Sequence, residues 1–551
     1  MLIFEKFYNL YKIYTPKIFN TIIKELRVNI KKLFNKRSFK NVDFPLDKYG
    51  KVVFYKYPFL KIDKKEYYAQ IHYCNKVTDY IVDKRGYEFF EAEILVGEYT
   101  KRKKLYIKDE SLLPISIPNR QTDEGLGSID IIMNGKKINL KKLKFNSFHY
   151  LPIKNRTEIE IQNDENIIIA NPISTIQKNK NKKKLVMSIF IDGLSSVVFE
   201  KFDFKTLMPN TSQFFKKGTI FKNGFSNAEW TNPSLPTLFS GLYVKNHKLY
   251  HPNDDEEIGK NYKIISEIFQ ENGYLTTQIC SNHRKSPLYK YVKGFDRTIY
   301  KRNFNCDLIV SRAIEHLETF KNRDNYMWLS FFELHHFLNG IPGLLTQFLN
   351  EIEFHNYDKG DKKSVFESYD EKRVKWYINE LKRLDLYLGI LFDYIQKNYQ
   401  DNEIIVSIVS DHGQAYLGTQ KELLSRQKLQ VPMMFKGIDY GIQEEFIQNI
   451  DYLPTLLKLA GIESDLKIDG QIPEILGGKK REYVFAESIY PNRKYECVIY
   501  DKEGMVYAKS TKIIKDIKEI KNIELEFVIN HSNKSKIKLY KNIILKHIED
   551  I

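Results

Sequence analysis

The sequence predicts an α/β protein, with a doubly wound central sheet preceded by a smaller β-rich, sandwich-like domain. Three stretches carry the first half of that expectation. L-V-M-S-I-F-I (185–191), Y-M-W-L-S-F-F (326–332) and E-I-I-V-S-I-V-S (403–410) are short, continuous and almost wholly apolar. Strands covered by helices on both faces look like this. The segments between them have helical spacing, notably 374–396, so strands and helices alternate as a doubly wound sheet requires. Ahead of residue 178 the runs are shorter and alternate polar with apolar residues, which suits half-buried strands.

In chain order, residues 1–38 form a basic, partly amphipathic leader in which Ile22, Ile23, Leu26, Val28 and Ile30 are interleaved with Lys and Arg. Such a segment docks on a neighbour as a helix or makes a peripheral contact with an anionic membrane. Residues 39–177 hold the alternating runs V-V-F-Y-K-Y, Y-Y-A-Q-I-H-Y, I-D-I-I-M-N-G-K-K-I-N-L and T-E-I-E-I-Q-N-D-E-N-I-I-I-A. N-G and N-D-E-N read as their turns. This region concentrates no catalytic residues, and His72 and His149 read as structural. K-N-K-N-K-K-K (178–184) is a solvated linker that marks the domain boundary. The α/β domain then takes 178–480, and 481–551 is an extension that completes it.

Composition bounds the function. With 551 residues, 42% hydrophobic and 14% aromatic, the chain has material for two or three globular domains and is not a disordered protein. The formal charge of +17 suits anionic substrates or an anionic membrane surface. No zinc-finger spacing or other nucleic-acid module is present, so nucleic acid is not an expected partner. Cys74, Cys280, Cys306 and Cys497 form no C-x-x-C pair, and no run approaches eighteen apolar residues. With an N-terminus that lacks a basic n-region and a clean apolar core, these features predict a cytoplasmic chain.

The three apolar runs end in residues that bind metals: Asp192-Gly193, then Glu333, His335 and His336, then Asp411-His412-Gly413. Open α/β sheets build their sites at the carboxyl ends of strands. Carboxylate and imidazole together suit a divalent metal of zinc or manganese type. One Asp before Gly is ordinary turn chemistry; three ligand-bearing strand ends in one sheet are not explained by it. A further stretch, N-A-E-W-T-N-P-S-L-P-T-L-F-S-G-L-Y-V-K-N-H (227–247), places Thr231 just before Pro233 at a helix start. Leu235, Leu238 and Phe239 follow at helical spacing, and Gly241 closes the helix. Thr231 is then either an N-cap or a hydroxyl held where a tetrahedral oxyanion would settle.

Taken in order, these segments resemble the sulfatase-like branch of the alkaline phosphatase superfamily, from residue 185 to about 475. V-M-S-I-F-I-D-G looks like that family's first metal strand and S-D-H-G like its last. The stretch from Thr231 to His247 looks like its nucleophile helix. N-G-Y-L-T-T-Q-I-C-S-N-H resembles its G-Y-x-T segment, which ends in a substrate-binding His, here His283. V-P-M-M-F and I-D-Y-L-P-T-L-L-K-L-A-G-I look like its closing signatures. The resemblance implies that Asp192, Thr231, Asp411 and His412 hold one divalent metal, zinc or manganese. It also implies that His283, His335 or His336, and Lys421 bind substrate. A second metal is left open, because only His531 and His547 follow His412, in a lysine-rich tail.

One departure matters. Sulfatases proper carry C-x-P-x-R or S-x-P-x-R, whose first residue becomes formylglycine; here those outer positions are Thr231 and Leu235. A Thr nucleophile is similar instead to the nucleotide phosphodiesterases and to the phosphoethanolamine and phosphoglycerol transferases. The resemblance therefore implies a metal-dependent phosphoryl-group hydrolase or transferase working through a phospho-threonine intermediate. Its substrate would be a phosphomonoester or phosphodiester, glycan- or lipid-linked. A sulfate-ester hydrolase, and a non-catalytic glycan- or partner-binding protein of the same fold, are the alternatives. The joint presence of Asp192, Thr231, Asp411 and His412 favours catalysis.

Overall fold

The structure is a computed structural model that describes residues 56–73, 91–119, 125–177, 183–251, 257–281, 285, 287–302, 304–336, 343–350 and 367–551. Residues 71–73 and 336 are described for their backbone only. The described residues fall in one compact unit. The basic leader, linker residues 178–182 and His283 lie outside them. The elements that build the site are, in chain order, β1 (Glu91–Ile107), β2 (Leu185–Ile191), β3 (Gly218–Phe225), α1 (Thr231–Ser240), β4 (Leu275–Cys280), β5 (Arg297–Tyr300), α2 (Cys306–Thr319), β6 (Asn325–Phe331), α3 (Glu333–His336), α4 (Leu344–Leu349), α5 (Glu371–Asn398), β7 (Ile404–Val409), β8 (Met433–Lys436), β9 (Gly441–Gln448) and α6 (Tyr452–Ala460).

The three apolar runs are β2, β6 and β7, and every residue of each is buried. Burial on both faces shows in how β2 divides its side chains. Leu185, Met187, Ile189 and Ile191 join one core with Leu381, Leu384 and Leu388 of α5, while Val186 and Phe190 join another with Leu235, Leu238 and Phe239 of α1. Helices therefore cover both faces, as a doubly wound sheet requires. The hydrogen-bonded order is β1–β5–β4–β6–β2–β7–β8–β3–β9. From β5 to β7 the strands are parallel, but β8 runs antiparallel to both β7 and β3. The chain leaves β7 at its carboxyl end and re-enters the sheet from that same side, without a crossover helix, so the sheet is mixed.

The β-rich region is present, but it does not form a separate sandwich sheet. β1 is 17 residues long. Its first part, buried almost throughout, pairs with Lys65–Tyr73 and with β5 of the central sheet. Its second part, half-exposed, pairs with the strand Thr157–Ala170. One long strand thus serves both regions. The junction is tied by buried charge: Arg297 Nε donates to Glu93 at 2.5 Å, and Arg312 Nε donates to Glu91 at 2.8 Å. The N-G turn forms as expected between two paired strands, with Asn134 and Gly135 at φ of 48° and 81°. N-D-E-N does not turn the chain. It sits inside a single strand, where the register slips between Thr100↔Ile167 and Arg102↔Gln162. Its polar residues bulge outward, and the apolar residues on each side keep the pairing.

Beyond α6 the extension forms a four-stranded antiparallel sheet, Val484–Ser488, Arg493–Asp501, Gly504–Ile514 and Leu525–His531, followed by the helix Lys534–Glu549. His531 and His547 serve packing there: His531 contacts Asp501 at 2.9 Å and His547 contacts Glu487 at 3.2 Å. Among the described residues no helix is long and apolar enough to cross a membrane.

Candidate active site

Asp192 follows β2, Asp411 and His412 follow β7, and α3 with His335 follows β6. These strands are adjacent and parallel, so their carboxyl ends bring four side chains to one point. Gly193 has φ 78°, and a Cβ there would lie 2.3 Å from Gln414 Nε2, so the turn after Asp192 requires glycine. A Cβ on Gly413 would lie 2.2 Å from the Gln427 carbonyl oxygen.

Thr231 is brought in by the loop before α1. Asn227 fixes that loop: its Oδ1 accepts from the Ile450 N–H and its Nδ2 donates to the Phe485 carbonyl. Ser234 Oγ donates to the Trp230 carbonyl at 2.7 Å and contacts that of Ala228 at 3.0 Å. Trp230, in extended backbone, is the N-cap, and Thr231 is the first helical residue. The threonine hydroxyl therefore makes no capping bond. It lies instead 3.2 Å from His412 Nε2 and 3.5 Å from Asp192 Oδ2. The helix ends at Gly241, φ 68°, as its sequence predicts.

The polar atoms of the site are tightly grouped. His412 Nε2 is 3.7 Å from Asp192 Oδ1 and 3.4 Å from Asp411 Oδ2. His335 Nε2 is 3.9 Å from Asp192 Oδ1. His412 Nδ1 lies 2.7 Å from the Gly413 carbonyl. A carbonyl only accepts, so Nδ1 is the donor there, and Nε2 is the ring nitrogen facing Thr231. Asp192, Asp411 and His412 are buried.

Asp192, His335 and His412 each offer a ligand atom within 4.8 Å of the others, a spacing that could hold a metal ion. The donor chemistry fits a divalent cation. Two buried carboxylates face one imidazole, and Asp411 Oδ2 is buried with no hydrogen-bond donor among the described residues. Such a pair of buried charges is costly without a positive partner. The structure thus groups His335 with the residues that could hold a metal, whereas the sequence suggests it for substrate. The other Asp411 oxygen accepts from the His412 N–H at 2.9 Å.

Of the remaining expected residues, Lys421 stands apart from this group. Lys421 is exposed and lines a cleft of about 690 Å³ together with Lys428, Arg493 and Glu496; none of Asp192, Thr231, Asp411 and His412 lines it. The side chain of His336 lies outside the described residues, as does His283.

Several contributors were not singled out in the sequence. Asn449 Nδ2 donates to the carbonyls of Ser410 and Asp411, at 3.1 and 3.3 Å, and so fixes the loop that carries the ligands. Glu229, two residues before Thr231, is buried and accepts from Ser488 Oγ at 2.6 Å; burial pushes its carboxyl up to about 7. Lys285 Nζ lies beside α1, 4.6 Å from the ring of Phe239 and 4.5 Å from that of Trp328, with no hydrogen-bond partner among the described residues. Burial pushes this amine down to about 7.

Comparison with known proteins agrees with this architecture. A Caenorhabditis elegans relative, named a homolog of the extracellular sulfatase Sulf-1, is 23% identical over 347 residues, covering 52% of this chain and 48% of the relative. The chain thus spans about half the length of that curated relative. The yidJ protein of Bacteroides fragilis, a candidate sulfatase, superposes with a TM-score of 0.52 at 16% identity, covering 67% of this chain and 96% of that one. The phosphonate monoester hydrolase of Silicibacter pomeroyi gives a TM-score of 0.50 at 12% identity, covering 66% and 94%. At these identities the likeness is one of fold. The family model described as Sulfatase matches residues 184–462, just over half of the chain. That match takes in every strand from β2 to β9 and α6 behind them, and the chain belongs to the sulfatase family.

Proposed function

We propose that this protein is a metal-dependent ester hydrolase, acting on a sulfate ester or on a phosphorus ester of the same tetrahedral shape, with Thr231 as its nucleophile. The observation that carries the reading is the position of Thr231 Oγ1. It stands at the start of α1, uncapped, 3.2 Å from His412 Nε2 and 3.5 Å from Asp192 Oδ2. Family membership supports ester hydrolysis, and the relative named for a sulfatase puts sulfate esters first.

Asp192, His335 and His412, with Asp411 beside them, would hold the divalent metal, which when bound would acidify the Thr231 hydroxyl and offset the charge of the ester oxyanion. With His412 Nε2 given to the metal, the hydroxyl proton has Asp192 Oδ2, 3.5 Å away, as its acceptor. Thr231 Oγ1 then attacks sulfur or phosphorus in line. The new bond to Oγ1 forms as the bond to the ester oxygen breaks, and that oxygen takes up the proton held by Asp192 and leaves as the alcohol. Water attacks the same tetrahedral atom in a second displacement and frees Thr231.

A specific observation supports phosphorus as the second reading. A formylglycine hydrate can expel sulfate through its other hydroxyl, and threonine has none. Its ester must be opened by water at the tetrahedral atom, as a phospho-threonine is.

The test is turnover by protein stripped of metal and restored with zinc or manganese. The substrates are p-nitrophenyl sulfate, p-nitrophenyl phosphate, bis-(p-nitrophenyl) phosphate and p-nitrophenyl phenylphosphonate. Metal-dependent release from the sulfate ester supports the first reading. Release only from phosphorus esters selects the second. No release from any of them, with no metal retained, contradicts both.

A further inference from the structure

Outside the site, the most exposed large apolar side chains lie on α4. Its sequence is L-L-T-Q-F-L, and Leu344 and Phe348 are 84% and 82% exposed. Four residues apart, they share one face of the helix, while Thr346 points inward and is buried. The helix is nonetheless held firmly from behind. Asn379 of α5 donates to the Leu349 carbonyl at 3.2 Å and to Asn350 Oδ1 at 2.8 Å, and Gly343 packs against Arg383.

Asn379, Arg383, Leu386 and Ile390 form one stripe of α5, at spacings of four, three and four. α4 covers the first two. Leu386 and Ile390 continue the stripe into solvent, 49% and 51% exposed. The outer surface of α4 and the next two turns of α5 therefore carry four large aliphatic or aromatic side chains that no described element covers. Lys375 and Lys382 belong to the same helix, and the whole chain carries a formal charge of +17.

This face also adjoins the site. α5 packs against both α3, the element that carries His335, and α4. Its Arg383 pairs with Glu380 at 3.4 Å, lies 3.9 Å from Asp307, and abuts the residue before α4. α5 thus joins the turn that carries His335 to the exposed helix.

Apolar side chains standing out of a firmly held helix, beside lysines on a cationic protein, match the chemistry of an interface between water and anionic lipid. We propose that α4 and the adjoining turns of α5 form a membrane-docking face that sets the active site against an anionic lipid surface. Leu344 and Phe348 enter the boundary between headgroups and acyl chains, and Lys375 and Lys382 meet the lipid phosphates. The inference does not depend on which ester is cleaved.

The experiment is co-sedimentation of the full chain with phosphatidylglycerol-containing vesicles and with pure phosphatidylcholine vesicles. Wild type is compared with Leu344→Ser/Phe348→Ser and with Lys375→Glu/Lys382→Glu, all with matching thermal melts. The expected result is preferential binding of wild type to the anionic vesicles, with the partition coefficient at least tenfold lower in each double variant. No binding by wild type overturns the proposal. So does unchanged binding by the apolar variant, which would assign the attraction to charge elsewhere on the chain. A wild-type dimer that the apolar variant splits would make this face a contact between copies, and that too overturns it.

Discussion

At neutral pH an isolated threonine hydroxyl keeps its proton, so the surroundings of Thr231 Oγ1 decide whether it can attack. Those surroundings come from four separate stretches of chain and converge because β2, β6 and β7 lie side by side. Lys285 tests how tightly the neighbouring core is built. Its amine is buried against Phe239, Trp328 and Phe295 without a hydrogen bond, and burial holds it near 7, below its unfolded value of about 10.4. Between those values the unfolded chain binds more protons, so stability contributed here rises with pH from about 7 to about 10 and is flat below. Lys285→Met should remove that slope and raise stability at pH 7 by roughly 1–3 kcal/mol. Urea unfolding at pH 7 and pH 9 checks both. The sequence exposes Asp192, Asp411 and His412, because ligand-type residues at the ends of apolar runs stand out. It does not expose Asn449 or Lys285. Asn449 acts on backbone carbonyls 38 and 39 residues away, and Lys285 is recognisable only by the rings that surround it.

At the scale of elements, the strands were legible from their unbroken apolar runs, and α5 from its spacing. What local sequence concealed was competition between a residue's own turn chemistry and its tertiary partners. Thr231 has the chemistry of a cap, yet its hydroxyl turns to His412 and Asp192. N-D-E-N has turn chemistry, yet β1 holds it as a bulge. Asp385 shows the same principle from the other side. Deep in α5, it caps another helix, Pro209–Phe214, by accepting from the N–H groups of Asn210 and Thr211 at 3.0 and 2.8 Å and from Thr211 Oγ1 at 2.6 Å. Asp385→Ala leaves the buried Thr211 donors and the half-buried Asn210 N–H unpaired and should cost about 3 kcal/mol. Asp385→Asn, which keeps one acceptor, should cost less. Denaturant midpoints of the two variants give the comparison.

For the molecule as a whole, the main departure from the sequence reading is that no clean boundary separates the β-rich region from the central sheet. β1 belongs to both, and Glu93 of β1 is buried against Arg297 of β5. Alternation in 39–177 identifies strands but cannot show that one of them extends into a second sheet; that depends on which edge the other sheet leaves open. Because the junction holds an ion pair out of water, Glu93→Ala should cost about 3–5 kcal/mol by stranding the arginine charge. The two regions should also unfold in one transition, seen as coincident melts by near- and far-ultraviolet circular dichroism.

The central claim is that Thr231 makes and breaks a covalent bond to the substrate. The most direct measurement is mass spectrometry of the Thr231-containing peptide after acid quench of metal-loaded protein with a turned-over ester. The account predicts a sulfuryl or phosphoryl adduct on Thr231, absent from Thr231→Ala, whose turnover should fall by at least about a thousandfold. An adduct on another residue, or a Thr231→Ala variant that turns over at the wild-type rate, would contradict it.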